Sequence, residues 1–228
     1  MAPFRVEGCT VRDAAGLARN NMSAFWTDPT WILVWEQGRP LESVVEACTK
    51  RMPNNLLNDR AHKRHLKAVD AETGEVVGYV RFLLPDRLAG DWLGAQTPDD
   101  VSAADRKRFD EQFASADWTF RRGVGNIDEP VRPIMQNYMG RKEYMELEYL
   151  AVQPAYRNRG IATMLMEAGI AESEKMGIDI FMLAYKAGLG VYKRLGFETL
   201  ETLILDDSAY GGQGEYGCYF MERTVKRQ

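Results

Sequence analysis

Val152-Gln153-Pro154-Ala155-Tyr156-Arg157-Asn158-Arg159-Gly160-Ile161-Ala162 joins a predicted strand to a predicted helix. The strand is Tyr144 to Val152; the helix is Gly160 to Met176, stopped by Gly177. The first turn of a helix carries unpaired N–H groups and a partial positive charge, which together bind phosphate. Gly160 and Ala162 keep side-chain bulk away from that end, so a pyrophosphate can reach the backbone. Arg157 and Arg159 either add charge-assisted bonds or merely solvate the turn. Behind the turn, Ile161, Met164, Leu165 and Ala168 form an apolar stripe suited to docking on a sheet.

Downstream, Ile178 to Ala184 is almost continuously apolar, as expected for a strand buried on both faces. Leu189 to Leu195 reads as a short helix closed by Gly196. Phe197 to Leu205 and Glu215 to Thr224 read as closing strands around Gly211-Gly212-Gln213-Gly214. Upstream, Phe4 to Thr10 is a predicted strand, and Asp13 a predicted cap for a helix through Leu17. Phe25 to Trp35 is an aromatic-rich loop or broken helix. Pro40 opens a second helix with Leu41, Val44, Val45 and Cys48 on one face. His65 to Val69 and Val76 to Leu84 form a predicted hairpin ended by Pro85. Residues 85–143 are polar and too long for a plain connection, so they are expected to be an insertion with a task. Thr97 with Pro98 is the predicted helix start there, with helical patches to Phe120. Irregular backbone is expected around Gly123-Val124-Gly125, Pro130 and Pro133.

The run Arg157-Asn158-Arg159-Gly160-Ile161-Ala162 after Val152-Gln153-Pro154 resembles the signature of the GNAT superfamily of N-acetyltransferases. A second family element is a Tyr four residues before Gly-Phe, here Tyr192 before Gly196-Phe197. The resemblance implies an α/β (α+β) fold: a mixed, mostly antiparallel twisted sheet flanked by helices, in one domain over residues 1–228. It places the insertion before the fourth strand, as a cover on the acceptor side. It also implies acetyl-coenzyme A (acetyl-CoA) as co-substrate, held in a splay between the strands Tyr144–Val152 and Ile178–Ala184. Pantetheine would then pair near Leu150, Ala151 and Val152, and the pyrophosphate would rest on Arg157, Asn158, Arg159, Gly160, Ile161 and Ala162. Many members carry Asn or Ser after the strand that here ends at Ala184; in this chain that contact is either absent or supplied by Tyr185.

Acetyl transfer from a thioester needs a neutral amine, a donor to the oxyanion, and a proton or hydrogen bond for the departing thiolate. By resemblance Tyr192 fills the last role; packing the short helix is a compatible one. Strand alternation puts Glu146 and Glu148 on one face with Leu150 and Val152. Either is a candidate base or a plain surface charge. Glu146 is preferred, because several family members carry a catalytic glutamate six residues before the matching Val. The oxyanion donor implied by the family is a backbone N–H near Leu150 to Val152. The layout is also loosely similar to puromycin-type and other detoxifying small-molecule acetyltransferases. A peptide or protein acetyltransferase and a non-catalytic acyl-CoA-binding module are the alternatives.

A net charge of −4 offers no field for nucleic acid or an anionic membrane surface. Cys9, Cys48 and Cys218 are too few and scattered for a disulfide framework, and the N-terminal residues Met1 to Arg5 lack a signal peptide's charged and apolar regions. A cytoplasmic protein acting on a small-molecule amine is the expectation, as monomer or homodimer. His62 and His65 stand three apart but lack partners for a zinc pattern, so no metal is expected. Phe25, Trp26, Trp31 and Trp35 are an acceptor wall or a core, and Tyr138, Tyr144 and Tyr149 extend either arrangement.

Overall fold

Seven strands form, the second, third and fifth of them buried along nearly their whole length. The seven are β1 (Phe4–Gly8), β2 (Lys63–Asp70), β3 (Val76–Leu83), β4 (Met145–Val152), β5 (Ile180–Tyr185), β6 (Glu198–Asp206) and β7 (Glu215–Arg223). In the computed structural model, which describes residues 3–124, 127 and 129–226, they form one sheet in the order β1-β2-β3-β4-β5-β7-β6. Gly125, in the predicted irregular stretch, and Met1 and Ala2 lie outside the described residues. The β4–β5 pair is parallel and the other pairs are antiparallel, so the sheet is mixed and mostly antiparallel, as the family resemblance implies.

Helices α1 (Ala14–Phe25) and α2 (Leu41–Leu57) cover one face, burying Leu17, Ala18, Val44 and Cys48 against Val76 and Tyr79. Helix α5 (Ile161–Met176) covers the other, with Ile161, Leu165 and Met166 against Val80, Phe82 and Met182. Its approach is close because Gly169 has no side chain: a Cβ there would lie 2.2 Å from Phe82 Cζ. The short helix α6 (Leu189–Arg194) sets Tyr192 and Phe197 against the same core.

The cap predicted at Asp13 is not made. Its carboxylate turns away from α1, accepts the Thr10 amide at 2.8 Å and pairs with Lys67 at 2.6 Å. The half-buried ion pair with β2 wins over a local cap.

The insertion packs first on the α5 side, through Leu88, Trp92 and Ala95, then on the α1–α2 side through Trp118, and departs from expectation twice. Its first helix, α3, spans Ala103–Ser115 and is capped by Ser102, whose hydroxyl accepts the Asp105 amide at 3.1 Å. Thr97 is instead buried outside any helix, and Arg60 Nε donates to its carbonyl at 2.7 Å. A second helix, α4 (Val131–Met139), forms where irregular backbone is predicted. Pro130 stands at its N-cap and Pro133 in its first turn, where a missing N–H costs nothing. Packing stabilises it: Tyr138 stacks on Phe181 at 5.5 Å and Val131 is buried on the β5–β7 arm.

One irregularity shapes the site. Arg81 pairs with Tyr149 and Phe82 with Leu147, which leaves Glu148 as the extra residue of a β-bulge. The bulge interrupts the alternation along β4. Leu147, Leu150 and Val152 pack on the α5 side, whereas Tyr149 packs on the α1–α2 side. Glu146 and Glu148 therefore do not share one face with Leu150 and Val152 as simple alternation predicts.

Candidate active site

β4 and β5 pair only from Met145 opposite Ile180 to Leu147 opposite Met182. Beyond that point the strands part, and the edge of β4 from Glu148 to Val152 borders a cleft instead of a neighbouring strand. The cleft holds about 1190 Å³, more than the roughly 300–1,000 Å³ of a drug-sized pocket. The bulge bends β4 at the point where the opening begins.

One end of the cleft is the turn into α5. Asn158 and Gly160 adopt left-handed backbone, with φ of 61° and 83°. The amides from Asn158 to Thr163 find no acceptor among the described residues, and Asn158, Gly160, Ile161, Ala162 and Thr163 all line the cleft. Unpaired amides at the start of a long helix suit a diphosphate. The arginines are occupied otherwise. Arg157 borders the cleft but donates to the Ala24 carbonyl at 2.9 Å and to Thr27 Oγ1 at 2.8 Å, tying the turn to the end of α1. Arg159 is not among the lining residues; its guanidinium lies over Phe4 at 4.7 Å and Tyr156 at 5.1 Å.

A Cβ at position 160 would meet nothing within 4 Å, so a substitution there acts through the backbone. Gly160→Val forces a β-branched residue into left-handed backbone, which such residues strongly resist. Calorimetric titration with coenzyme A is expected to show binding weakened by about tenfold or more. A dissociation constant within twofold of the parent would show that coenzyme binding does not depend on this turn.

Leu150, Ala151, Val152 and Tyr185 line the cleft, as does Tyr192. The Tyr192 ring is buried against Phe197, at 5.9 Å between centroids, and burial pushes its phenol pKa above the ordinary value. Of the two glutamates, Glu148 lines the cleft but is held by Arg81 at 2.5 Å. Glu146 stands behind the lining. Burial first, and then the Glu148 charge, push its carboxyl above the usual range.

Several wall residues carry no motif. Asp28 and Thr30 follow α1, and Asp207, Gln213, Tyr216 and Tyr219 come from the β6–β7 hairpin. The glycines at 211, 212 and 214 mark that hairpin, but nothing local indicates that it folds over the cleft. Of the aromatic candidates, Phe25 and Tyr149 reach the cleft, whereas Trp26, Trp31 and Trp35 pack in the core of α1 and α2. Tyr138 and Tyr144 pack beneath the β5–β7 arm. No described residue of the insertion is among the lining residues. Arg121 instead braces the walls from behind, its amide bonded to Val34 O at 2.8 Å and its guanidinium to Tyr210 O at 3.1 Å. Among the described residues no three His, Cys, Asp or Glu side chains gather as a metal site, and no helix is long and apolar enough to cross a membrane.

The model of the acetyltransferase (GNAT) family matches residues 27–197. Solved structures share the fold at low identity. A Corynebacterium glutamicum protein described as histone acetyltransferase HPA2 and related acetyltransferase superposes with a TM-score of 0.60 at 17% identity, covering 99% of this chain and 98% of that one. Drosophila melanogaster polyamine N-acetyltransferase gives 0.57 at 16%, covering 97% and 100%. The PaiA N-acetyltransferase of Thermoplasma acidophilum, solved with coenzyme A, gives 0.53 at 13%, covering 97% and 99%.

Proposed function

The chain belongs to the acetyltransferase (GNAT) family, and on that premise we propose that it transfers an acetyl group from acetyl-CoA to the amine of a small molecule, by direct attack with both substrates bound. The observation that supports this reading is the opening between β4 and β5. It brings an amide cradle, an unpaired strand edge and the Tyr192 side chain into one cleft. The cradle suits the diphosphate and the strand edge suits pantetheine. The remaining space lies between the loop after α1 and the β6–β7 hairpin, which Thr30 and Asp207 bridge with a 2.8 Å hydrogen bond. That bridge favours a small acceptor over a long peptide. The Drosophila protein forms N-acetylagmatine, a small acetylated amine, on the same fold. The same reading assigns the protein to the cytoplasm and gives the reaction no metal.

The neutral amine attacks the thioester carbonyl, forming the C–N bond as the C–S bond breaks. An amide on the free edge of β4 between Leu150 and Val152 donates to the oxyanion. Tyr192 donates to the departing sulfur. Its raised pKa keeps the phenol protonated, so against a thiolate of pKa about 8.5 it acts chiefly by hydrogen bonding. Glu146 accepts the amine proton through an intervening water, and its raised pKa makes it a stronger base than an ordinary carboxylate.

Thiol release from acetyl-CoA, measured over a panel of small amines and a basic peptide, tests the reading. Coenzyme binding without release on any amine would leave a binding module instead of an enzyme. The same assay separates the glutamates. As a base, Glu146 works only when ionised, so kcat/KM should fall as pH drops through its raised pKa. Glu146→Gln should cost about tenfold or more and abolish that acid limb. If the limb persists in Glu146→Gln and vanishes in Glu148→Gln, the base is Glu148.

A further inference from the structure

One cation and two carboxylates lie together where β3 runs beside β4. Arg81 of β3 donates from Nε to Glu148 Oε2 at 2.5 Å, and its guanidinium lies over the Tyr149 ring at 5.5 Å. Glu148 and Tyr149 line the cleft, whereas Arg81 does not. Arg81 therefore holds two wall residues from behind. The bulge leaves Glu148 without a register partner on β3, so its side chain is free to meet the guanidinium. Glu146 is in no ion pair among the described residues. Leu83 of β3 and Phe181 of β5 stand opposite it, and neither is charged.

The strand on the far side of Arg81 offers it no acid. His65 of β2 stands opposite in register; burial first, then the Arg81, Lys63 and Arg64 charges, push its imidazole down to about 3. Its Nδ1 is 2.8 Å from the Tyr79 hydroxyl. Burial pushes the phenols of Tyr79 and Tyr149 up, as it does the thiols of Cys9 and Cys48 beside them. All of these groups are uncharged at neutral pH. One cation thus serves two acids and pairs directly with one of them. For Glu146, burial raises the carboxyl, the Glu148 charge adds to this, and the Arg81 charge opposes it. Resting on the acetyl-transfer reading above, we propose that Arg81 is a positioning residue for the proton transfer: by engaging Glu148 it leaves Glu146 as the carboxylate that receives the amine proton. On receiving it Glu146 becomes a neutral acid, and the ion pair beside it stays intact.

Carbon-13 NMR of the full chain labelled at its glutamate carboxyls tests this without substrate; the Glu146 signal is the one lost in Glu146→Gln. Its midpoint is expected to rise by about half a pH unit or more in Arg81→Gln, where a cation is removed, and to fall similarly in Glu148→Gln, where an anion is removed. Arg81→Lys keeps the cation and should restore the parent midpoint. A midpoint unmoved in Arg81→Gln overturns the proposal, and so does an equal rise in Arg81→Lys. If Arg81→Gln does not fold, the double variant Arg81→Gln/Glu148→Gln is compared with Glu148→Gln: a higher midpoint in the double variant supports the proposal, and an equal one overturns it. The acid limb of kcat/KM, for the most active amine of the panel above, should move with the midpoint. A limb that stays while the midpoint moves overturns the proposal, because Glu146 is then not the group that takes the proton. Midpoints that move as expected when no amine releases thiol support the charge arrangement, and only the transfer reading fails.

Discussion

Tyr192→Phe is expected to lower kcat by about tenfold or more, with little change in coenzyme A affinity. The phenyl ring keeps the packing that α6 needs, against Phe197 at 5.9 Å and beside Gly188, where a Cβ would lie 2.4 Å from the Tyr192 ring. Only the hydroxyl is lost, and no protein group among the described residues is hydrogen-bonded to it. Its removal therefore breaks no structural bond, and the loss must appear where sulfur carries developing charge. Single-turnover measurement of the chemical step is the direct check. A rate within twofold of the parent would remove Tyr192 from the mechanism.

Arg64→Met is expected to have the largest effect on stability. Arg64 is fully buried, at 0% exposure, and pairs with no carboxylate within ion-pair distance among the described residues, although the Asp91 charge favours its cationic form. Its guanidinium instead gathers backbone carbonyls: Asp91 O at 2.7 Å from Nη2, Ala89 O at 2.7 Å, Lys63 O at 2.9 Å, and Arg60 O and Ala61 O at 3.1 Å. These bonds fasten the first part of the insertion to the start of β2. A methionine fills much of the volume but leaves buried acceptors unsatisfied, each worth about 1–3 kcal/mol. Allowing for partial relaxation, the net loss is about 3–5 kcal/mol, a large share of the ordinary stability of a domain. Denaturant unfolding reads it as a lower midpoint at similar slope. A loss below about 1 kcal/mol would show that solvent reaches those carbonyls readily.

The sequence analysis succeeds where the signal is local. Gly160 and Gly177 bound α5, the apolar run after Ile178 is β5, and the hairpin of β2 and β3 lies within a residue or two of its predicted limits. It fails where a distant partner decides. Ser102 caps α3, with Arg60 bonded to the Thr97 carbonyl outside any helix; α4 forms because Phe181 and Phe220 give its apolar face something to cover. Glu146 and Glu148 part from the face of Leu150 and Val152 because of a bulge that exists only in pairing with β3. The contacts that Arg157 makes with Ala24 and Thr27, and Arg159 with Phe4 and Tyr156, likewise come from distant or folded-back segments that no local pattern marks.

The chain alone therefore specified the turn that opens at Gly160 and the strand and helix that flank it, which depend on backbone conformations and apolar spacing fixed within a few residues. Tyr192 was marked by the family resemblance. The three-dimensional arrangement decided which side chains meet across the cleft. It set Glu146 back from the opening, gave Glu148 to Arg81, and brought Asp207 from the far hairpin to Thr30. Such choices arise from burial and charge compensation between segments far apart in the chain, and no local pattern of residues encodes them.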